Sequence, residues 1–195
     1  QPRNPAILSR YGLKPRQYFF IASRLEPENH QDLAVAAFQK LETEKLLVIA
    51  GGANWNSPYV RKLRKASDRR IRFLGPVYEP GHIEELHCHA YAYIHGNEVG
   101  GTNPALLKAM GCGNCVLALD VPFNREVLAD AGLFFSAEPN DLLTKLRYVL
   151  NNPEIVRRFG EKARERVSRY YRWEEVIKEY EALFCKMTGR KTFFS

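Results

Sequence analysis

The sequence predicts an α/β fold: a doubly wound parallel sheet of about six strands, with extra helices at the carboxyl end. Three observations predict it. Short apolar runs alternate with stretches of helical spacing between residues 17 and 135. The connections after those runs are rich in glycine, proline and asparagine, as strand-to-helix turns require. From residue 141 onward the pattern is helical only, which places additional helices after the sheet.

Each element follows from its own residues. Residues 17–23 (QYFFIAS) read as a buried strand, and residues 32–41 carry Leu33, Ala36, Ala37 and Leu41 at helical spacing. Residues 45–50 (KLLVIA) form a strand stopped by Gly51 and Gly52, and residues 59–66 a short basic helix. A third strand at 71–74 runs into Gly75 and Pro76; a helix at 82–87 precedes a fourth strand at 91–94. Pro104 opens a helix to Met110, 116–119 is a strand, 125–129 a helical turn and 133–135 a last strand. The terminal helices break at Pro153 and near Tyr171, and Val156, Phe159, Ala163 and Val167 mark an inward stripe. No internal repeat or long linker divides the chain, so it reads as one domain, with a lead-in segment at 1–16 and a carboxyl-terminal helix and tail at 172–195.

Composition narrows the function classes. The chain has 195 residues, a net charge of +7 and 45% hydrophobic residues. A chain of this size buries about 70% of its unfolded surface without metals or disulfides. A mean hydropathy of −0.37 and the lack of a long apolar run exclude a transmembrane helix. The positive charge suits an anionic partner. Four unevenly spaced cysteines fit a reducing compartment better than a disulfide framework. The first residue is Gln1, no secretory signal precedes the first strand, and a piece of a longer cytoplasmic polypeptide is expected.

In a doubly wound sheet, ligands bind beyond the carboxyl ends of the strands. The segment HGNEVGGTNPALLKAM begins with such a strand end, at His95. Gly100 and Gly101 allow close approach of backbone N–H groups, and Asn103 and Pro104 stand as helix cap and first helical residue, a combination suited to phosphate. A tight turn alone would also account for the glycines. Arg24 follows the first strand, where it can hold phosphate oxygens through two bonds or pair with Glu26 or Glu28. The loop after that strand has no glycine, so the dinucleotide fingerprint is absent; so is a Walker loop. Cys112-Gly-Asn-Cys115 has redox spacing and His87-Cys88-His89 offers metal ligands, but both precede strands, away from the ligand edge, and buried thiols are expected. The basic run at 157–172 reads as the solvated face of a helix, with a membrane-surface role as the alternative. Basic residues do not interleave with aromatics as in RNA-stacking surfaces, so no nucleic acid partner is expected.

The succession SRLEPEN, LVIAGG, RFLGPV, YIHGNEVGGTNPALLKAMGCGNCVLA and NREVL resembles the carboxyl-terminal domain of retaining GT-B glycosyltransferases of family 4. It looks closest to the bacterial rhamnosyltransferase-like subgroup carrying GGTNP. The resemblance covers residues 17–184. It implies a Rossmann-like domain that binds a nucleotide-diphosphate sugar, with no metal or other cofactor. A separate amino-terminal acceptor domain would lie outside this sequence, and the acceptor would be a glycan or a lipid-linked molecule at the inner face of the membrane. Arg24 would contact the donor phosphates, Gly75, Pro76 and Val77 the nucleobase, and Gly100, Gly101, Thr102 and Asn103 the sugar and pyrophosphate.

Two motifs depart from the wider family. The lysine often found five residues after the phosphate arginine is Asn29, and the E-x7-E glutamates fall on Gly100 and Lys108. The second glutamate accepts hydrogen bonds from the ribose, which lysine cannot do. That loss is expected to cost about 1.5–3 kcal/mol, unless Glu98 takes the ribose and Lys108 a phosphate. The function expected is retaining sugar transfer, with Arg24 stabilising the departing diphosphate. The alternatives are a degenerate nucleotide-sugar-binding or assembly module and a nucleotide-sugar epimerase.

Overall fold

The strands form where the sequence is apolar on both faces of the pleat, as a doubly covered parallel sheet demands. The computed structural model of the chain describes residues 4–54, 56–138 and 140–188. Residues 1–3 of the lead-in segment and 189–195 of the tail lie outside the described residues. The chain runs β1 (Tyr18–Ala22), α1 (Gln31–Gln39), β2 (Leu46–Ala50), α2 (Pro58–Ala66), β3 (Ile71–Gly75) and α3 (His82–Cys88). It continues through β4 (Ala92–His95), α4 (Pro104–Gly111), β5 (Cys115–Leu119), α5 (Pro122–Leu128) and β6 (Leu133–Phe135). Three helices follow: α6 (Asp141–Asn151), α7 (Pro153–Tyr170) and α8 (Trp173–Thr188).

All pairings are parallel, in the order β3-β2-β1-β4-β5-β6. The order reverses between β1 and β4, which are neighbours through Phe19 opposite Ala92 and Phe20 opposite Tyr93. The loops leaving these two strands therefore flank the crevice where doubly wound sheets bind ligands. The doubly wound α/β expectation holds, with six strands.

Alternation along β1 divides the core in two. Phe19 and Ile21 point to one face, with Val35 and Phe38 of α1, Leu63 of α2 and Leu142 and Leu146 of α6. Tyr18 and Phe20 point to the other, with Leu86 of α3, Leu106 and Met110 of α4 and Leu128 of α5. α7 contributes to both, through Val156 on one side and Ala163 on the other. It comes so near the turn before β5 that a Cβ on Gly160 would lie 2.2 Å from the Gly113 carbonyl. No residue of α8 is buried, and Trp173, Ile177, Tyr180 and Phe184 are exposed along it.

Most differences from the sequence reading lie at element ends. α5 begins at Pro122 rather than Arg125, since proline suits the first helical position. A 3-10 helix at Pro5–Tyr11 occupies the lead-in segment, capped by the Asn4 side chain and closed by Gly12 in the left-handed region. The cysteine expectation is corrected: Cys88 and Cys112 are bonded to each other, while Cys115 is a buried free thiol. The Cys112/Cys115 spacing misleads because β5 carries Cys115 into the core, whereas the end of α4 leaves Cys112 beside the end of α3.

Candidate functional site

Loops become a site only when something holds them, and here amide side chains do. Gln31 is fully buried at the start of α1, and its Nε2 donates to Ser23 Oγ (2.8 Å) and to the Arg24 carbonyl (2.7 Å). Tyr59 of α2 donates to Gln31 Oε1 at 3.0 Å and also reaches Asp32 Oδ1. Burial raises the Tyr59 hydroxyl well above its ordinary range, so it stays a donor. Asn29 Nδ2 donates to the same Arg24 carbonyl at 2.7 Å.

A second set joins the β1 loop to the β4 loop. Asn97 Nδ2 donates to Asn29 Oδ1 (2.7 Å), the Glu98 N–H to the Glu28 carbonyl (2.9 Å), and His30 Nε2 lies 2.9 Å from Glu98 Oε2. Asn124 of α5 donates to the Asn97 carbonyl at 3.0 Å. The loops touch so closely that a Cβ on Gly96 would sit 2.4 Å from the Asn29 carbonyl. Gln31, Tyr59, Asn97 and Asn124 were missed from sequence, where they look like ordinary polar residues, whereas Asn29 and Glu98 were singled out there as donor contacts.

Within this frame Arg24 is exposed, and its guanidinium makes no hydrogen bond or ion pair with any described residue. The pairing with Glu26 or Glu28 does not form. Arg24 lines a cavity of about 250 Å³ at the carboxyl ends of β1, β2 and β3, together with Gly51, Gly52, Pro76 and Val77. Tyr78, 85% exposed, stands on the same rim and was not singled out from sequence. Gly75 has a φ of +72°, a left-handed turn that lets the chain leave β3 toward this rim.

The glycine loop leaves β4 at the switch point. Gly100 has a φ of +126°, a conformation that only glycine adopts without strain. Gly101 is different. Its φ is outside the left-handed region, and a Cβ there would meet no atom within 4 Å. A tight turn therefore explains Gly100 but not Gly101. Thr102 is exposed, and Asn103 Oδ1 accepts from the Ala105 N–H at 2.9 Å, so its oxygen caps α4.

Three predicted contacts are otherwise engaged. Lys108 Nζ is 2.5 Å from Glu84 Oε1 of α3, and its ammonium holds that carboxyl below the usual carboxylate range. Glu98 is held by His30. Asn29 uses both ends of its amide on the loop network. The His87-Cys88-His89 cluster is dispersed: His87 packs against Phe20 and Tyr93, and His89 bonds Glu85. Among the described residues no group of three or more His, Cys, Asp or Glu converges for a metal.

The family profile described as "Glycosyl transferases group 1" matches residues 7–166. The chain belongs to this family. A relative of this group 1 glycosyltransferase domain, O-antigen chain mannosyltransferase B of Escherichia coli, is 29% identical over 72% of the chain and 39% of its own length. N-acetyl-alpha-D-glucosaminyl L-malate synthase of Bacillus anthracis is 26% identical over 77% of the chain and 40% of its own length. The domain thus spans about two-fifths of these curated relatives. Among solved structures, Anabaena HepE in complex with UDP and glucose superimposes with a TM-score of 0.83 at 16% identity, over 93% of this chain and 52% of that one. The C-terminal domain of a Francisella tularensis group 1 glycosyl transferase superimposes with a TM-score of 0.73 at 15% identity, over 89% of this chain and 95% of that one. Among the described residues, no helix is long and apolar enough to cross a membrane.

Proposed function

We propose that this domain binds the nucleotide-diphosphate sugar of a retaining, family 4 type glycosyltransferase of the GGTNP subgroup, acting in the cytoplasm on a glycan or lipid-linked acceptor. The acceptor half would be a domain outside this sequence, in keeping with the two-fifths span of the curated relatives. One observation carries the reading: an exposed arginine without a partner among the described residues lines a cavity at the carboxyl edge of the sheet, in a member of this family.

In this reading the Arg24 guanidinium and the backbone N–H groups of Gly100, Gly101 and Thr102 hold the donor diphosphate and stabilise its charge as the glycosidic bond breaks. The assignment uses no metal. Each such oriented donor is worth about 10²–10³ in rate when its bond strengthens in the transition state. The nucleobase lies along Gly75, Pro76 and Val77, with Tyr78 as a stacking face. Lys108 and Glu98 have their own protein partners, so the ribose hydroxyls would be bound by backbone or water, or by Glu98 after it releases His30.

The test is calorimetry of the chain with UDP, GDP, dTDP, ADP and NAD. Binding of one nucleoside diphosphate, lost in Arg24→Ala, supports the donor-domain reading and names the base. NAD binding, or nucleotide binding indifferent to Arg24→Ala, refutes it. If Lys108→Glu is required for binding, the domain is a degenerate module.

A further inference from the structure

The opposite edge of the sheet has a second cavity, lined by none of the residues of the Arg24 crevice. It measures about 400 Å³ and lies against α7, at the amino-terminal ends of β4 and β5. Arg16, from the turn before β1, and Arg157 and Arg164, from one face of α7, line it with the Tyr91 ring. We propose that this cavity binds a phosphate-bearing anion, at a site separate from the Arg24 crevice.

Arg157 is exposed on the rim and makes no hydrogen bond or ion pair with any described residue. Arg16 gives one bond, Nη1 to the Ala90 carbonyl at 2.9 Å, and Arg164 one bond, Nη2 to the Cys112 carbonyl at 3.2 Å. A guanidinium has five N–H donors, so both are oriented by the protein with most donors still available. Lys45 stands 4.3 Å from the centroid of Tyr91 and adds positive charge at that wall. Glu161 on the lining and Glu154 near Tyr91 are the opposing carboxylates, fewer than the cations.

The backbone is shaped around this convergence. Arg16 has a φ of +61°, which a non-glycine residue holds only when its surroundings compel it; its N–H donates to the His89 carbonyl at 2.8 Å. Gly113 has a φ of +76°, and a Cβ there would strike the Arg164 guanidinium at 2.6 Å. The volume is in the range of small-ligand sites, about 300–1,000 Å³. A phosphate can accept from several guanidinium groups at once, which a monovalent anion such as chloride does not reward in the same way.

The test is titration of the chain with inorganic pyrophosphate, and in parallel with vesicles of phosphatidylcholine alone or mixed with phosphatidylglycerol. In an Arg24→Ala background, where the sheet's other edge cannot contribute, pyrophosphate binding should persist and should weaken about ten- to a hundredfold when Arg157→Ala or Arg16→Ala is added. Binding of only the phosphatidylglycerol vesicles, lost in the same two variants, would support the site with a lipid headgroup as the source. The proposal is overturned if neither probe binds, or if binding is unchanged in Arg157→Ala. It is also overturned if binding is abolished by Arg24→Ala alone. Arg157 is exposed and has no partner among the described residues, so its replacement tests the site without threatening the fold.

Discussion

Acidification should unfold this domain through two histidines that its core keeps neutral. His87 and His95 are buried, and no ring nitrogen of either has a hydrogen-bond partner among the described residues. Burial, with the charges of Lys108 and His95 adding, pushes His87 down to about 3; burial alone pushes His95 down to about 4. In the unfolded chain both return to about 6.5. Below pH 6.5 the unfolded state therefore binds more protons than the folded state at these sites, the excess nearing two around pH 5. Stability falls as pH falls, by about 1.36 kcal/mol per unit for each histidine. From pH 6.5 to pH 5 the two together cost about 3 kcal/mol, a large part of the 5–15 kcal/mol typical of a domain. Urea denaturation between pH 7 and pH 5 measures it, above most carboxylate titration. His95→Gln should halve the pH slope, and the double variant with His87→Gln should nearly abolish it. An unchanged slope in the double variant would refute the assignment.

The remaining predictions concern loops and packing. Gly101→Ala should raise stability by up to about 1 kcal/mol, because no strain or clash opposes it, yet weaken binding of the nucleoside diphosphate. Thermal unfolding and calorimetry on one preparation would report the opposite signs. Tyr78→Ala should leave stability within about 0.5 kcal/mol while lowering nucleotide affinity by a stacking contribution of about 1–3 kcal/mol. Gly160→Ala should destabilise by about 1–3 kcal/mol in urea, since its Cβ would enter the Gly113 carbonyl. Lys108→Ala should change stability by less than about 1 kcal/mol, as an exposed pair allows, and let the Glu84 carboxyl titrate at higher pH by NMR.

The chain by itself determined the sheet and its order of elements. YFFIA, LLVIA and CVLAL are apolar at every position, and a strand so composed has to be covered on both faces. Glycine or proline then marks where several strands and helices stop, as at Gly51, Gly75, Gly96 and Pro153. Arg24 and the Gly100–Gly101 loop were legible as candidates because their residue types suit a strand's carboxyl end. Tertiary structure decided what occupies those side chains. Lys108 faces Glu84, Asn29 is drawn into an amide network, and Cys88 meets Cys112 across separate helices. It also built the anchors at Gln31, Tyr59, Asn97 and Asn124, and brought Arg16 beside Arg157 and Arg164. Periodicity is a local property of the backbone, so it can be read from a short window of sequence. A hydrogen bond or ion pair between residues far apart in the chain depends on where the folded sheet carries both ends.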